Sequence, residues 1–292
     1  EFNCDSGRVI TKKQIEEDLK LLKSNNFNAV RTSHYPNIPY FYDVCDELGL
    51  IVMDEASIET HGTWDLRDSR KKDKNFEYKV LPGSDEKYKE FTLDRVKAMY
   101  ERDKNHPCII FWSLGNEAYA GTNLAECYKF LKEKNDQRVI SYEGCANCLK
   151  YSYISDVIAR MYTKPKDIIK YLKKNKTKPF ILIEFAHSMG NSTGNFDEYV
   201  NLFNKFDNYQ GGFIWDFVDQ GLKISNKMCY GGDNYDYPND NNFCANGLLL
   251  ADRSTTSKMS TVKYYYQPFR FQFDKAGITI FNDNFIKNTA KL

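Results

Sequence analysis

Seven short apolar runs, each ending in polar residues and separated from the next by an amphipathic stretch, constrain this 292-residue chain more than any other feature. The runs lie at 28–34, 50–57, 108–117, 139–143, 156–162, 179–187 and 211–219. Helical periodicity predicts helices at 11–26, 39–48, 85–104, 123–135, 166–174 and 195–206, and the joint at 139–156 reads less clearly. Strands that alternate with helices imply parallel pairing through right-handed crossovers, and near-continuous apolar runs suit strands covered on both faces. A barrel and a doubly wound sheet both satisfy that pattern. No Gly-x-Gly-x-x-Gly turn follows the first strand, and the strand ends read Ser33-His34, Glu55-Ala56-Ser57, Gly115-Asn116-Glu117, Tyr142-Glu143, Met161-Tyr162, Glu184 to His187, and Trp215-Asp216. An eight-fold barrel gathers such ends around its active-site mouth. The expected fold is therefore an α/β, (β/α)8 TIM barrel whose first strand lies upstream of Glu1.

After Asp219 the rhythm changes to a Gly/Asn/Asp-rich stretch, 231–242, and then to period-two alternation over 263–285, which reads as the start of a following β-domain. The division expected is a barrel at 1–272 and opening strands of a β-sandwich at 273–292. The charge-rich runs 65–74 and 173–178 read as solvated loops. A formal net charge of +1, with 28% charged residues, disfavours a nucleic-acid or membrane partner, and no run of about 18 apolar residues exists to span a bilayer. The start lacks an initiator Met, which suggests a chain cut from a longer one. Eight scattered cysteines read as reduced thiols, in keeping with a cytoplasmic location. Cys145 and Cys148 form one Cys-x-x-Cys, either two loop or core thiols or a redox pair or metal clip. An aromatic content of 15% suggests faces for flat apolar ligands such as sugar rings.

Glu117 and Glu184 each close an apolar strand, so a rigid scaffold positions both, as proton transfer requires. Two carboxylates on different strands suit glycoside hydrolysis, one as acid and one as nucleophile or base. The alternative is a buried salt bridge to Arg31 or Arg160. Glu59 and His61 stand two apart and project to one side of extended chain, where with Glu117 they offer hard ligands suited to Mg²⁺ or Mn²⁺, or else form a hydrogen-bonded pair. Of four histidines, His34, His61 and His187 sit at or just after strand ends, and His106 precedes a strand as a structural cap.

The segments Arg31 to Asn37, Phe41 to Leu50, Asp54 to Gly62, Asp103 to Pro107, Trp112 to Glu117, Glu184 to Ser192, Gly211 to Gln220 and Phe243 to Gly247 resemble, in order, the catalytic barrel of the large microbial β-galactosidases of glycoside hydrolase family 2. Glu59-Thr60-His61-Gly62 resembles that branch more than the β-glucuronidases or β-mannosidases of the family. The resemblance implies hydrolysis of terminal β-D-galactosides by a retaining double displacement. Glu117 would be its acid/base and Glu184 its nucleophile, with carboxyl groups about 5–5.5 Å apart. It further implies Asn116 on the sugar 2-OH, Tyr162 beside the nucleophile, His34 and His187 on sugar hydroxyls, and Trp215 as an apolar floor. Glu59, His61 and Glu117 would hold Mg²⁺, and Phe243, through its carbonyl, and Asn246 would hold Na⁺. The family's sugar-binding, immunoglobulin-like and C-terminal domains lie outside the sequence, and the parent is expected to be a homo-oligomer. Glu1 corresponds either to the glutamate of the family's His-Glu motif or to an expression scar. Rival expectations are a catalytically silent fragment or carbohydrate-binding remnant, and a sister glucuronidase or mannosidase. A glucuronidase pocket would carry a cationic cluster, which the strand-end motifs lack.

Overall fold

The computed structural model describes residues 2–64, 73, 75–174 and 177–284. Glu1, nearly all of the 65–74 run, two positions of the 173–178 run and residues 285–292 lie outside the described residues. Helix α1 (Lys12–Ser24) opens on a capping box, with the Thr11 hydroxyl accepting from the Gln14 N–H and the Gln14 side chain accepting from the Thr11 N–H. Its buried face, Ile15, Leu19 and Leu22, follows the 3.6 period. Helix α2 (Pro39–Leu48) starts with proline at its first position and stops on Gly49 in the left-handed conformation, φ 63°.

Strands β1 (Ala29–Arg31), β2 (Ile51–Glu55), β3 (Ile109–Ser113) and β4 (Val139–Ser141) pair in sequence order and in parallel, as do β5 (Ile158–Met161), β6 (Phe180–Phe185) and β7 (Tyr209–Ile214). The two sheets meet where the Asp156 N–H donates to the Ile140 carbonyl and the Tyr142 N–H to Ser155 Oγ. All seven expected strands are thus present among the described residues, with α3 (His61–Trp64), α4 (Lys89–Asp103), α5 (Thr122–Glu133), α6 (Pro165–Lys174) and α7 (Phe196–Phe203) between them. The unclear joint holds two 3₁₀ stretches, Glu143–Ala146 and Leu149–Ile154, which are too short to show a helical period.

Side chains from several strands fill the lumen: Met53, Val157, Ala159, Ile181 and Ile183 form one buried cluster, with Phe111, Val139 and Phe213 packed on it. Burying each of the Met, Val and Ile side chains contributes roughly 1.5–3 kcal/mol. Strand β7 lies against β1 without ladder hydrogen bonds among the described residues. The outer layer closes that seam: Arg253 pairs with Asp18 of α1 at 2.7 Å, and Asn26 Nδ2 donates to the Lys263 carbonyl at 2.9 Å.

Beyond β7, β8 (Leu222–Ile224) and β9 (Lys227–Cys229) form a hairpin, and the 231–242 stretch is irregular. The expectation of strand from 263 onward needs correction. Residues 263–265 end α8 (Ser257–Tyr265), whose Thr256 cap and buried Met259 and Val262 outweigh the local Tyr alternation. Strands β10 (Phe269–Asp274) and β11 (Gly277–Asn282) then pair antiparallel, and the division at 272/273 falls inside β10. All eight cysteines are free thiols, Cys145 buried and Cys148 partly so.

Candidate active site

A register shift places the first carboxylate. Opposite β5, Arg160 and Met161 face Leu182 and Glu184, and opposite β7, Gly212 and Ile214 face Leu182 and Phe185, so β6 carries an extra residue there. Strict alternation would send Ile183 and Phe185 to one side. The bulge separates them, Ile183 joining the lumen cluster and Phe185 the outer core, and re-aims Glu184. Its carboxyl accepts from Arg31 Nη1 at Oε1 and from the Tyr162 hydroxyl at Oε2, both at 2.8 Å.

Arg31, at the end of β1, is the shared cation. It donates also to both oxygens of Glu55 (2.8 and 2.9 Å), to Asn116 Oδ1 (2.8 Å) and to the Ile183 carbonyl (3.1 Å). Burial alone would raise Glu55, but Arg31 and His34 outweigh it and hold that carboxyl at about 2. Glu184 is therefore the partner of an arginine, as the alternative reading required. It shares that arginine with a neighbouring glutamate and an asparagine at the barrel mouth, so the bridge and the candidate site are one network.

Strand β3 delivers the second carboxylate. Gly115, φ 129°, has no room for a side chain, since a Cβ there would lie 2.5 Å from the Ile58 carbonyl oxygen. Asn116 follows, its N–H on the Ile58 carbonyl and its Nδ2 on Glu59 Oε2 at 2.7 Å. Glu117 then adopts φ 37°, and its carboxyl pairs with His61 of α3. Burial pushes Glu117 above the usual carboxylate range; His61 opposes this, and the negative charges of Glu59 and Glu184 reinforce it. One ligand atom from each of Glu59, His61 and Glu117 lies within 4.8 Å of the others. Two carboxylates and an imidazole are the donor chemistry of Mg²⁺ or Mn²⁺, so these residues fit a hard cation.

Aromatic rings complete the rim. His34 stacks on Trp215 at 5.1 Å and 17°, with its Nδ1 2.9 Å from Glu55 Oε1. His187 packs between Tyr162 (5.8 Å) and Phe243 (5.7 Å). The Phe243 carbonyl accepts from Asn246 Nδ2 at 2.5 Å, while Asn246 Oδ1 is buried without a hydrogen-bond partner among the described residues. A main-chain carbonyl and an unpaired amide oxygen are hard donors, consistent with Na⁺.

The sequence-predicted residues thus gather in one network of hydrogen bonds and ring contacts, most of them at or just after strand ends and Phe243 and Asn246 on the loop that follows β9. Glu55 and Glu143 were visible there but carried no role. Glu143, with 4% of its surface exposed, accepts the Glu117 N–H at Oε1 (2.7 Å), and burial pushes it up to about 8.

A parallel α/β barrel with paired carboxylates, histidines and aromatic rings at its mouth defines the class. The match to the glycosyl hydrolases family 2, TIM barrel domain, spans residues 1–271, and the chain belongs to that family. Among its relatives, a beta-galactosidase of Priestia megaterium is 47% identical over 93% of this chain and 26% of its own length. One of Halalkalibacterium halodurans is 43% identical over 99% of this chain and 29% of its own. The beta-galactosidase large subunit of Leuconostoc lactis is 42% identical over 91% of this chain and 43% of its own. This chain therefore spans between about a quarter and just over two fifths of the length of these relatives. Among solved structures, a beta-glucuronidase of Ruminococcus gnavus superposes with TM-score 0.66 at 20% identity, covering 89% of this chain and 47% of that one. That likeness concerns the fold.

Proposed function

We propose that the chain is the catalytic barrel of a retaining β-galactosidase acting on terminal β-D-galactosides of the lactose type. The observation that carries the reading is that the chain after β3 and strand β6 bring two carboxyls, Glu117 and Glu184, to one mouth with different partners, His61 for the first and Arg31 with Tyr162 for the second. Burial and neighbouring charge raise Glu117 toward the protonated form, while Glu184 receives hydrogen bonds from Arg31 and Tyr162 that suit an ionised carboxylate. Glu117 would donate its proton to the glycosidic oxygen as Glu184 attacks the anomeric carbon, and would then take a proton from the water that releases the sugar. Asn116 would bind the 2-OH, His34 and His187 other hydroxyls, and Trp215 the apolar face of the ring. Tyr162 would keep the nucleophile oriented.

Glu59, His61 and Glu117 would hold Mg²⁺, or Mn²⁺, and Phe243 with Asn246 would hold Na⁺. When bound, the divalent ion would withdraw electron density from Glu117 and order the α3 segment. The relatives' greater lengths support a parent with further domains, and the large-subunit name supports an oligomer. Free thiols throughout support a cytoplasmic site. Among the described residues, no helix is long and apolar enough to cross a membrane.

The test is turnover of chromogenic β-galactosides by the protein expressed from its full reading frame, with and without Mg²⁺, beside the matching glucuronide and mannoside. Glu184→Gln should abolish chromophore release. Equal or faster release from the glucuronide or mannoside would move the assignment to a sister activity, and ligand binding without release would favour a carbohydrate-binding remnant.

A further inference from the structure

We propose that Glu143 is a positioning residue for Glu117. Its carboxyl, just past the end of β4, would hold the Glu117 main chain in the conformation that presents the acid/base side chain to the mouth. The proposal rests on the reading of Glu117 as acid/base.

Glu117 sits at φ 37°, a left-handed conformation that a residue with a Cβ keeps only when its surroundings enforce it. The neighbours have their own anchors: Gly115 packs on Ile58, and Asn116 is fixed by Ile58, Arg31 and Glu59. The N–H of Glu117 donates to Glu143 Oε1 at 2.7 Å. On the other side, the Tyr142 hydroxyl donates to the Ala118 carbonyl. Two consecutive residues after β4 therefore grip the chain before and after the Glu117 Cα. Among the described residues the Glu117 N–H is the one group of another residue that hydrogen-bonds the Glu143 carboxyl, and its Oε2 is buried without a partner. A buried carboxyl with a single partner is an unfavourable way to fill space, so packing alone does not account for it. Without that acceptor, the Glu117 N–H would be orphaned and its peptide free to rotate toward a less strained geometry.

Two conservative variants separate reach from charge. Glu143→Gln keeps an acceptor oxygen at the same distance, whereas Glu143→Asp keeps the carboxyl but withdraws it by one methylene. The readout is kcat/KM, measured on the full-length protein, for an alkyl galactoside that needs protonation and for a dinitrophenyl galactoside that does not. Glu143→Asp should lose about 10–100-fold on the alkyl substrate and less than about 3-fold on the activated one, because a misplaced acid is felt only where a proton is transferred. Glu143→Gln should restore most of the alkyl activity. Tyr142→Phe, which releases the Ala118 carbonyl, should show the same selective loss, and it serves as the test should Glu143→Asp fail to fold. Equal loss on both substrates, no loss, or a Gln variant as impaired as Asp overturns the proposal. Glu117→Gln in parallel distinguishes the two claims, since absence of substrate selectivity in that variant removes the acid/base reading itself, and the proposal with it.

Discussion

At the residue scale, Arg31 has the largest expected effect. It is buried and donates to Glu55, Glu184 and Asn116, so Arg31→Met would leave two carboxylates without their cation. Breaking a buried pair in this way costs about 3–5 kcal/mol, and urea denaturation should show a loss of that order. Tyr162→Phe removes one donor to Glu184 and should lower kcat roughly 10²-fold with little change in stability, comparable to the loss of one preorganised donor elsewhere. Asp54 supplies a pH test. Burial, with the neighbouring Asp103, pushes its carboxyl up to about 8, whereas an unfolded aspartate titrates near about 3.9. Between those values the folded state holds the extra proton, so Asp54 favours folding most at and below about pH 4 and loses that contribution as pH rises through 8. Thermal unfolding of Asp54→Asn should therefore compare better with the parent at pH 9 than at pH 5, and the reverse ordering would contradict the assignment. Glu117, Glu184 and the three histidines were legible because they stand at or just after the ends of apolar runs. Arg31 was legible only as a rival partner, since a charged residue in a strand shows its worth only when separate strands bring Glu55, Glu184 and Asn116 around it.

At the element scale, the β6 bulge and the tight packing of the chain just after β3 on the chain after β2 decide where the carboxylates point. Gly115→Ala should destabilise the protein by more than about 2 kcal/mol and abolish activity, because the new Cβ meets the Ile58 carbonyl at a φ that alanine avoids. A folded, active Ala variant would show that the segment can move. Strand and helix positions followed from periodicity, α2 to the residue. The bulge was hidden because Phe180 to Phe185 is apolar on both faces except for Glu184, so the pattern carries no register. Helix α8 was misread for a different reason: Tyr264 is exposed while Met259 and Val262 are buried, so its apolar face lies upstream of the aromatic run that suggested a strand.

At the scale of the whole molecule, the β10–β11 hairpin stands out from the barrel. Its cross-strand pairs Phe271–Ile280 and Phe273–Ile278 share one face, with exposures of 54, 57, 73 and 62% in that order. Among the described residues no further strand pairs with this hairpin, and a contiguous exposed apolar face on it promotes association. The 292-residue chain should self-associate at high concentration, and Phe273→Lys with Ile280→Lys should return it toward monomer in sedimentation velocity while leaving the barrel's unfolding midpoint unchanged. Association unaffected by both lysines would locate the contact elsewhere. The network at the mouth carries another consequence. Glu184 binds Arg31, Arg31 binds Asn116, and Asn116 binds Glu59, so the nucleophile's corner and the cation's corner are wired in series. Double-mutant cycles across the two ends should be strongly non-additive, so that a change at one corner sets what a change at the other costs.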